Sequence, residues 1–239
     1  MKVLILGAAG QIARMLHNEL LNTTDHSIVL YARNAHKRLN VNDDNREVVY
    51  DGDFKDKDKL IYAMKEVDLV YINDMGDDKS TKTIIDVMYD AGVKRVIAAS
   101  VLGIYDEVQG AFGEWNKRMI GGSPRMQSQI ESARLLESSK LDYTLLRLTW
   151  LYNENRNTKN MITQKGESFV GAQVTRQAVT QLIIDIIKEK SDKYFLTSLG
   201  VSEPNTDWRS HHSIKSNVER HKLIINRIER REKICKGVS

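Results

Sequence analysis

Directly after the aliphatic run Val3-Leu4-Ile5-Leu6 come two glycines three positions apart, in Gly7-Ala8-Ala9-Gly10-Gln11-Ile12-Ala13. A short β-branched and aliphatic run reads as a buried strand, and a glycine at its end lets the chain turn without a side chain in the way. Ile12, Leu16 and Leu20 then recur every fourth residue, as on one face of an amphipathic helix. The first amides of a helix lack intrahelical acceptors and lie at the positive end of its dipole, so strand, glycine turn and helix in this order make an anion site. Glycines let the pyrophosphate of a dinucleotide approach the backbone, and the small Ala13 lets the helix pack closely on the strand. Gly7 and Gly10, with Ala9 between them, are the expected cofactor-binding positions of this turn. Gly-x-x-Gly-x-x-Ala is a weak signal alone; its place after the first strand gives it weight.

Further candidates follow at regular intervals. In such an architecture the end of the second strand meets the adenosine ribose, where an acid would accept from a 2′-hydroxyl. Here Tyr31-Ala32-Arg33 offers a guanidinium instead, with Lys37 and Arg38 close behind, and forked donors suit a 2′-phosphate. The expected cofactor is therefore NADP rather than NAD. Asp53 and Phe54, after the third apolar run, are placed to meet an adenine edge and face, although Asp51-Gly52 is also turn chemistry and Asp56 can begin a helix. Asn73 and Met75 follow the fourth run and are expected to neighbour the cofactor. The acids at 74, 77 and 78 read as turn and cap residues, and no metal site is expected.

The elements that must position these residues alternate. Strands are expected at the start of the chain and over 27–31, 47–50, 68–72, 95–100 and 143–148, with helices between them, including 57–65, 81–90, 127–139 and 176–188. That rhythm demands a parallel sheet with crossover helices on both faces. A short strand is expected over 166–170 and a last edge strand over 194–197. Phe112 to Arg118 reads either as a substrate wall or as a surface Ω-loop, and Trp150 and Tyr152 either shape a pocket or cap the core.

Taken together, Gly7-x-x-Gly10-x-x-Ala13, Tyr31-Ala32-Arg33, Asp51-Gly52-Asp53, Arg95-Val96-Ile97-Ala98-Ala99-Ser100 and Leu141-Asp142-Tyr143-Thr144-Leu145-Leu146-Arg147 resemble the atypical short-chain dehydrogenase/reductase superfamily, in its NAD(P)-binding, NmrA-like branch. The resemblance covers roughly 1–207. It implies a Rossmann-type, doubly wound α/β fold with a mainly parallel sheet. By the same resemblance Gly7, Gly10, Gln11 and Ile12 line the pyrophosphate, Arg33 the 2′-phosphate, Asp53 and Phe54 the adenine, and Asn73 and Ser100 the nicotinamide half. Standard members carry a tyrosine and a lysine four residues apart on the helix after the fifth strand. Counting back from Leu141-Asp142-Tyr143-Thr144 puts that pair at Arg125 and Gln129, neither of which can relay the proton. Tyr105 remains as a distant substitute donor, with an unassisted pKa near 10. Catalytic residues stay unassigned, and two readings stay open: an NADP-dependent oxidoreductase acting on a small carbonyl or quinone-like substrate, and a non-catalytic NADP(H) sensor.

Composition bounds the rest. The formal charge of +4 is uneven, because nine Lys/Arg face three Glu between 209 and 239, leaving the remainder slightly acidic. Any nucleic-acid case therefore rests on the tail alone, and none is expected for residues 1–207. A single NAD(P)-binding domain over 1–207 is expected, followed by a basic, poorly ordered extension over 208–239 that holds His211 and His212. An oligomer contact is one use for it. No run of eighteen apolar residues suggests a membrane span, and one cysteine, Cys235, permits no intrachain disulfide, which points to the cytoplasm.

Overall fold

The computed structural model describes residues 1–206; the basic extension expected over 208–239 lies outside the described residues. Six strands alternate with helices in the first three quarters of the chain: β1 (Lys2–Leu6), β2 (Ser27–Ala32), β3 (Glu47–Asp51), β4 (Leu69–Ile72), β5 (Arg95–Val101) and β6 (Asp142–Leu148). Between them run α1 (Gln11–Thr23), the short α2 (Ala35–Arg38), α3 (Lys57–Ala63), α4 (Asp78–Ala91), α5 (Gly110–Asn116), which continues into a π-helical turn over Lys117–Gly121, and α6 (Pro124–Glu137). Beyond them are β7 (Trp150–Tyr152), β8 (Met161–Thr163), β9 (Gln173–Thr175), α7 (Arg176–Lys188) and β10 (Thr197–Ser202).

The eight-stranded sheet has the order β3-β2-β1-β4-β5-β6-β10-β8, and every pairing in it is parallel except β10 with β8. Alternation along β1 shows why it is wound on both faces. Val3 and Ile5 pack with Leu16 and Leu20 of α1 and Val179 and Ile183 of α7, while Leu4 and Leu6 pack with Leu60 of α3, Ile84 and Met88 of α4 and Leu136 of α6. Strands covered on both sides are apolar throughout, as a parallel sheet requires. Caps mark the helix starts: Asp56 accepts from Lys59 N at 3.2 Å, Ser123 from Met126 N at 3.1 Å and Thr175 from Ala178 N at 2.9 Å.

Three local expectations change, and the inward face of α6 is a further finding. Residues 166–170 form no strand: Gly166 has φ +92°, Glu167 folds back onto Gln164 N at 2.7 Å, and Phe169 alone is buried, hung on the Glu107 carbonyl by a 2.9 Å hydrogen bond. The last strand begins at Thr197, after a turn in which the Tyr194 carbonyl is taken by the hydroxyls of Thr144 and Thr197, and it is interior because it pairs with β6 on one side and β8 on the other. Phe112 to Arg118 is helical rather than an Ω-loop. On α6 the buried face is Met126, Gln129, Ser132, Ala133 and Leu136, with Ile130 and Leu135 only partly covered. A polar stripe thus points inward, which apolar periodicity could not reveal.

Candidate functional site: the crevice above the glycine turn

The carboxyl ends of β1 and β4 open where the strand order reverses, the place at which open α/β sheets hold ligands. Gly7 turns the chain there with φ +78°, a left-handed conformation that favours glycine, and its amide and that of Ala8 both donate to the Tyr31 carbonyl, at 2.9 and 3.2 Å. Gly10 caps α1 without any side-chain hydrogen bond, and no acid occupies the first turn, so the positive helix end faces the crevice uncompensated. A Cβ on Gly10 would overlap the Asn73 amide and lie 3.3 Å from the Gly7 carbonyl; one on Gly7 would stand 3.3 Å from Asn73 Cβ and 3.8 Å from Phe54. Side chains at these two positions would fill the cradle. The amides of Gly7, Ala8 and Gly10 are spent on the turn itself, so the residues present fit a bound pyrophosphate through the bare glycine backbone, the first amides of α1 and the lack of a competing carboxylate.

Most of the sequence candidates gather here. Phe54 is stacked on Tyr31, 6.0 Å between centroids, and the Tyr31 hydroxyl donates to the Asp53 carbonyl at 2.8 Å, which sets the Asp53-Phe54 corner beside Gly7. Burial, then the acids 56, 53 and 51, push the Tyr31 phenol well above its ordinary range, so it acts as a fixed donor. Asn73 receives a 3.3 Å hydrogen bond from Tyr71, whose own phenol is raised by complete burial and by Asp74. Ile12 is buried against the sheet, whereas Gln11 is exposed and accepts from Asn153 Nδ2 at 3.3 Å. Arg33 is exposed at the end of β2. Its neighbour Asn34 is left-handed, φ 52°, and held by Asp51, which accepts from its amide at 2.9 Å. Met75, in contrast, is fully buried under the sheet and faces no crevice. Its apolar bulk is core, and the loop presents Asn73 and Asp74 instead.

Three groups escaped the sequence reading. Arg14, one turn into α1, donates to the carbonyls of Ala9 at 3.1 Å and Arg38 at 2.5 Å, while Arg38 donates to the Arg33 carbonyl at 3.1 Å. The Arg14 and Arg38 guanidiniums thus both bind backbone beside the end of β2, where the exposed Arg33 follows. Asn153, after β7, is reached by Arg176 at 3.1 Å and itself reaches Gln11, a partner 142 positions away. Burial lowers the pKa of Arg176. Finally, Asp74 Oδ1 accepts from Gly76 N at 3.0 Å, Arg125 Nη2 at 2.7 Å and Gln129 Nε2 at 3.3 Å, and Gln129 Oε1 accepts from Ser100 Oγ at 3.0 Å. The exposed guanidine of Arg14 and the acid of Asn73-Asp74 were visible signals; the pairings over 51 and 55 positions were not.

Tyr105 is turned away from this network. Its hydroxyl donates to Glu137 at 2.5 Å and lies 3.1 Å from Ser198 Oγ, and burial, followed by Glu137, raises its pKa. A phenol so held cannot serve as the substitute proton donor. Beyond the ends of β5 and β6, Trp150 tilts on Trp115 at 4.8 Å and donates to Asn116 at 3.2 Å, forming an aromatic wall with Phe112. Beside it a hollow of 380 Å³ is bounded by Gly103, Asp106, Asn116, Lys117, Met126 and Ile130. A larger hollow, 540 Å³, lies among Lys2, Ile61, Tyr62 and Lys65, at the opposite end of β1 from the glycine turn, and bears on none of these groups. Among the described residues no cluster of three or more His, Cys, Asp or Glu gathers as a metal would need, and no helix is long and apolar enough to cross a membrane.

Known proteins share this arrangement. The model of an NAD(P)H-binding family matches residues 7–190. A short-chain dehydrogenase/reductase from Veillonella parvula DSM 2008, solved in complex with NADP, is 33% identical, covers 88% of this chain and 98% of its own, and superposes with a TM-score of 0.85. A Rossmann-fold NAD(P)-binding family protein from Shigella flexneri is 32% identical over 86% of this chain and 95% of its own, with a TM-score of 0.72. A protein named as the uncharacterized sugar epimerase YhfK of Bacillus subtilis (strain 168) is 27% identical over 205 residues, 80% of this chain and 90% of that one. With the family model spanning most of the chain and the glycine cradle at the switch point of the sheet, the chain belongs to the NAD(P)H-binding family, as an atypical member of the short-chain dehydrogenase/reductase superfamily.

Proposed function

We propose that this chain is an NADP-dependent oxidoreductase acting on a small carbonyl or quinone-like substrate without a tyrosine/lysine proton relay. The observation that carries the cofactor half is the exposed Arg33 at the end of β2, where an NAD-binding member would present an acid, with the Arg14 guanidinium on the Arg38 carbonyl and the Arg38 guanidinium on the Arg33 carbonyl beside it. The NADP complex of the Veillonella relative supports the same choice. In this reading Gly7, Ala9, Gly10, Gln11 and Ile12 hold the pyrophosphate and Arg33 the 2′-phosphate. Asp53 and Phe54 flank the adenine, and Asn73 and Ser100 meet the nicotinamide half. Residues 1–207 act as one NAD(P)-binding domain. When bound, the dinucleotide supplies the hydride chemistry, and the protein supplies orientation and the exclusion of water.

The substrate half rests on chemistry at the crevice. A guanidinium and a carboxamide stand at the relay positions 125 and 129, side chains that do not exchange protons in this role, and Tyr105 is held elsewhere. A substrate whose reduced form takes its protons from solvent, as a quinone does, fits such a site, and the Trp115–Trp150 wall suits a planar ring. The same feature supports the second reading, a redox sensor that binds NADP(H) without turnover. Titration with NADPH, NADP, NADH and NAD, followed by thermal shift, tests the cofactor: NADPH at about a hundred times its Kd adds roughly 2.7 kcal/mol of stability. Equal shifts for NADPH and NADH refute the assignment of Arg33. Oxidation of NADPH across a panel of quinones and aldehydes then separates enzyme from sensor.

A further inference from the structure

Ser100 sits at the carboxyl end of β5, largely buried, and its hydroxyl carries one proton and two lone pairs. Where that proton points is decided by residues on two other elements. Gln129, buried on α6, touches Ser100 Oγ with one end of its amide and Asp74 with the other, at 3.0 and 3.3 Å. A carboxylate only accepts, so the NH2 end of the amide must face Asp74 and the carbonyl end must face Ser100. Reversing the amide would set oxygen against oxygen. The Ser100 proton is therefore spent on Gln129.

Asp74 is held in place to enforce this order. Its Oδ1 also receives the Arg125 guanidinium at 2.7 Å and the Gly76 amide at 3.0 Å. Gly76 leaves room for that guanidinium, since a Cβ there would stand 2.6 Å from Arg125 Cζ. Five residues from the loop after β4, from β5 and from α6 thus make one directed network.

We propose that this chain makes Ser100 a hydrogen-bond acceptor toward the crevice, and that its partner there is the carboxamide N–H of the nicotinamide. Asp74 and Gln129 are positioning residues in this scheme. Ser100 then supplies no proton to a substrate carbonyl; it orients the ring that transfers the hydride. The inference rests on the crevice being the NADP site.

The test compares NADP with its 3-acetylpyridine analogue, in which a methyl group replaces the carboxamide NH2 and the carbonyl is kept. Dissociation constants are measured by calorimetry for the full chain and two variants, with 2′,5′-ADP as a probe of the adenosine half. The wild type prefers NADP over the analogue by about tenfold, the size expected for one hydrogen bond lost and an acceptor left facing a methyl group. Ser100→Ala brings the ratio to near unity while leaving 2′,5′-ADP binding unchanged. Gln129→Leu releases the Ser100 proton to point at the analogue's carbonyl and narrows the ratio to about threefold. If 2′,5′-ADP binds and the wild type holds both dinucleotides equally, the polarity assigned to Ser100 is wrong while the cofactor site stands. A tenfold preference that persists in Ser100→Ala likewise overturns it. Failure of both 2′,5′-ADP and NADP to bind removes the site reading and this inference together.

Discussion

Replacing Glu107 by glutamine should cost the protein much of its stability, and the structure says why. Glu107 is 7% exposed and Arg147 is completely buried. The carboxylate accepts from Arg147 Nη1 at 2.9 Å, Gly103 N at 3.0 Å and Tyr105 N at 3.0 Å, so three donors converge on it. Glutamine keeps the shape but turns one oxygen into a donor, which must then face one of those three, and it leaves the guanidinium buried without a countercharge. Removing one partner of a buried pair costs about 3–5 kcal/mol. At about 2–4 °C per kcal/mol for a chain of this size, the melting temperature falls by about 6–20 °C. Urea denaturation without nucleotide is the direct assay. Arg147→Met should cost a similar amount and the double variant less than the sum, because the second change removes the stranded charge. As a control, Asp86→Asn breaks the exposed Lys82–Asp86 pair and should change stability by no more than about 0.5 kcal/mol. If Glu107→Gln lies within about 1 kcal/mol of the wild type, the pair is not the anchor of the loop after β5. The consequence reaches the crevice, since Gly103 on that loop borders the 380 Å³ hollow and the Glu107 carbonyl holds Phe169.

Other perturbations bear on other parts of the argument. Arg33→Asp should weaken NADPH by about 10–100-fold, the loss of one charge-assisted contact, and leave NADH within about twofold; parallel losses for both would place Arg33 outside the 2′-phosphate pocket. Gly52→Ala would push a methyl into the Tyr31 ring, 2.6 Å from Cζ, and break the Tyr31–Asp53 hydrogen bond, for about 1–3 kcal/mol in a denaturation curve and a displaced Phe54 in a crystal structure. Burial, the Met1 ammonium and Arg46 hold the His26 imidazole below its ordinary 6.5, against an opposing pull from Asp25. Above that value both folded and unfolded chains are neutral at this site. As pH falls through it the unfolded chain takes the proton first, so stability declines until the folded imidazole titrates too. His26→Gln should flatten that slope between pH 7.5 and 5, and identical pH profiles for the two proteins would refute the assignment.

The aromatic wall and the polar chain share an origin that matters for substrate choice. Arg147 lies near the end of β6 in register with Ser100 near the end of β5, and Trp150 opens β7 two residues after β6. The β5–β6 pair thus carries the buried charge that fixes the neighbouring loop and the serine whose proton is committed, and leads directly into the aromatic face.

What the chain declares locally is the alternation of apolar runs and glycine turns. Periodicity places β1, α1 and α7 without tertiary help, and the glycines at 7 and 10 announce the anion site because only a bare backbone can line it. The alternation of strand and helix also implies a parallel sheet covered on both faces, while the order of its strands came from the fold. Tertiary structure decided where polar side chains are spent. Gln129 is an unremarkable helix residue until Asp74, 55 positions earlier, fixes which end of its amide meets Ser100. Tyr105 looks available until its hydroxyl is committed as a donor to Glu137, and Arg14 looks like one more surface cation until the chain brings the Arg38 carbonyl against it. Apolar burial repeats with the period of the backbone and can be read along one segment; a hydrogen bond needs two specific atoms within about 3 Å, and those arrive from segments that meet only when the chain has folded.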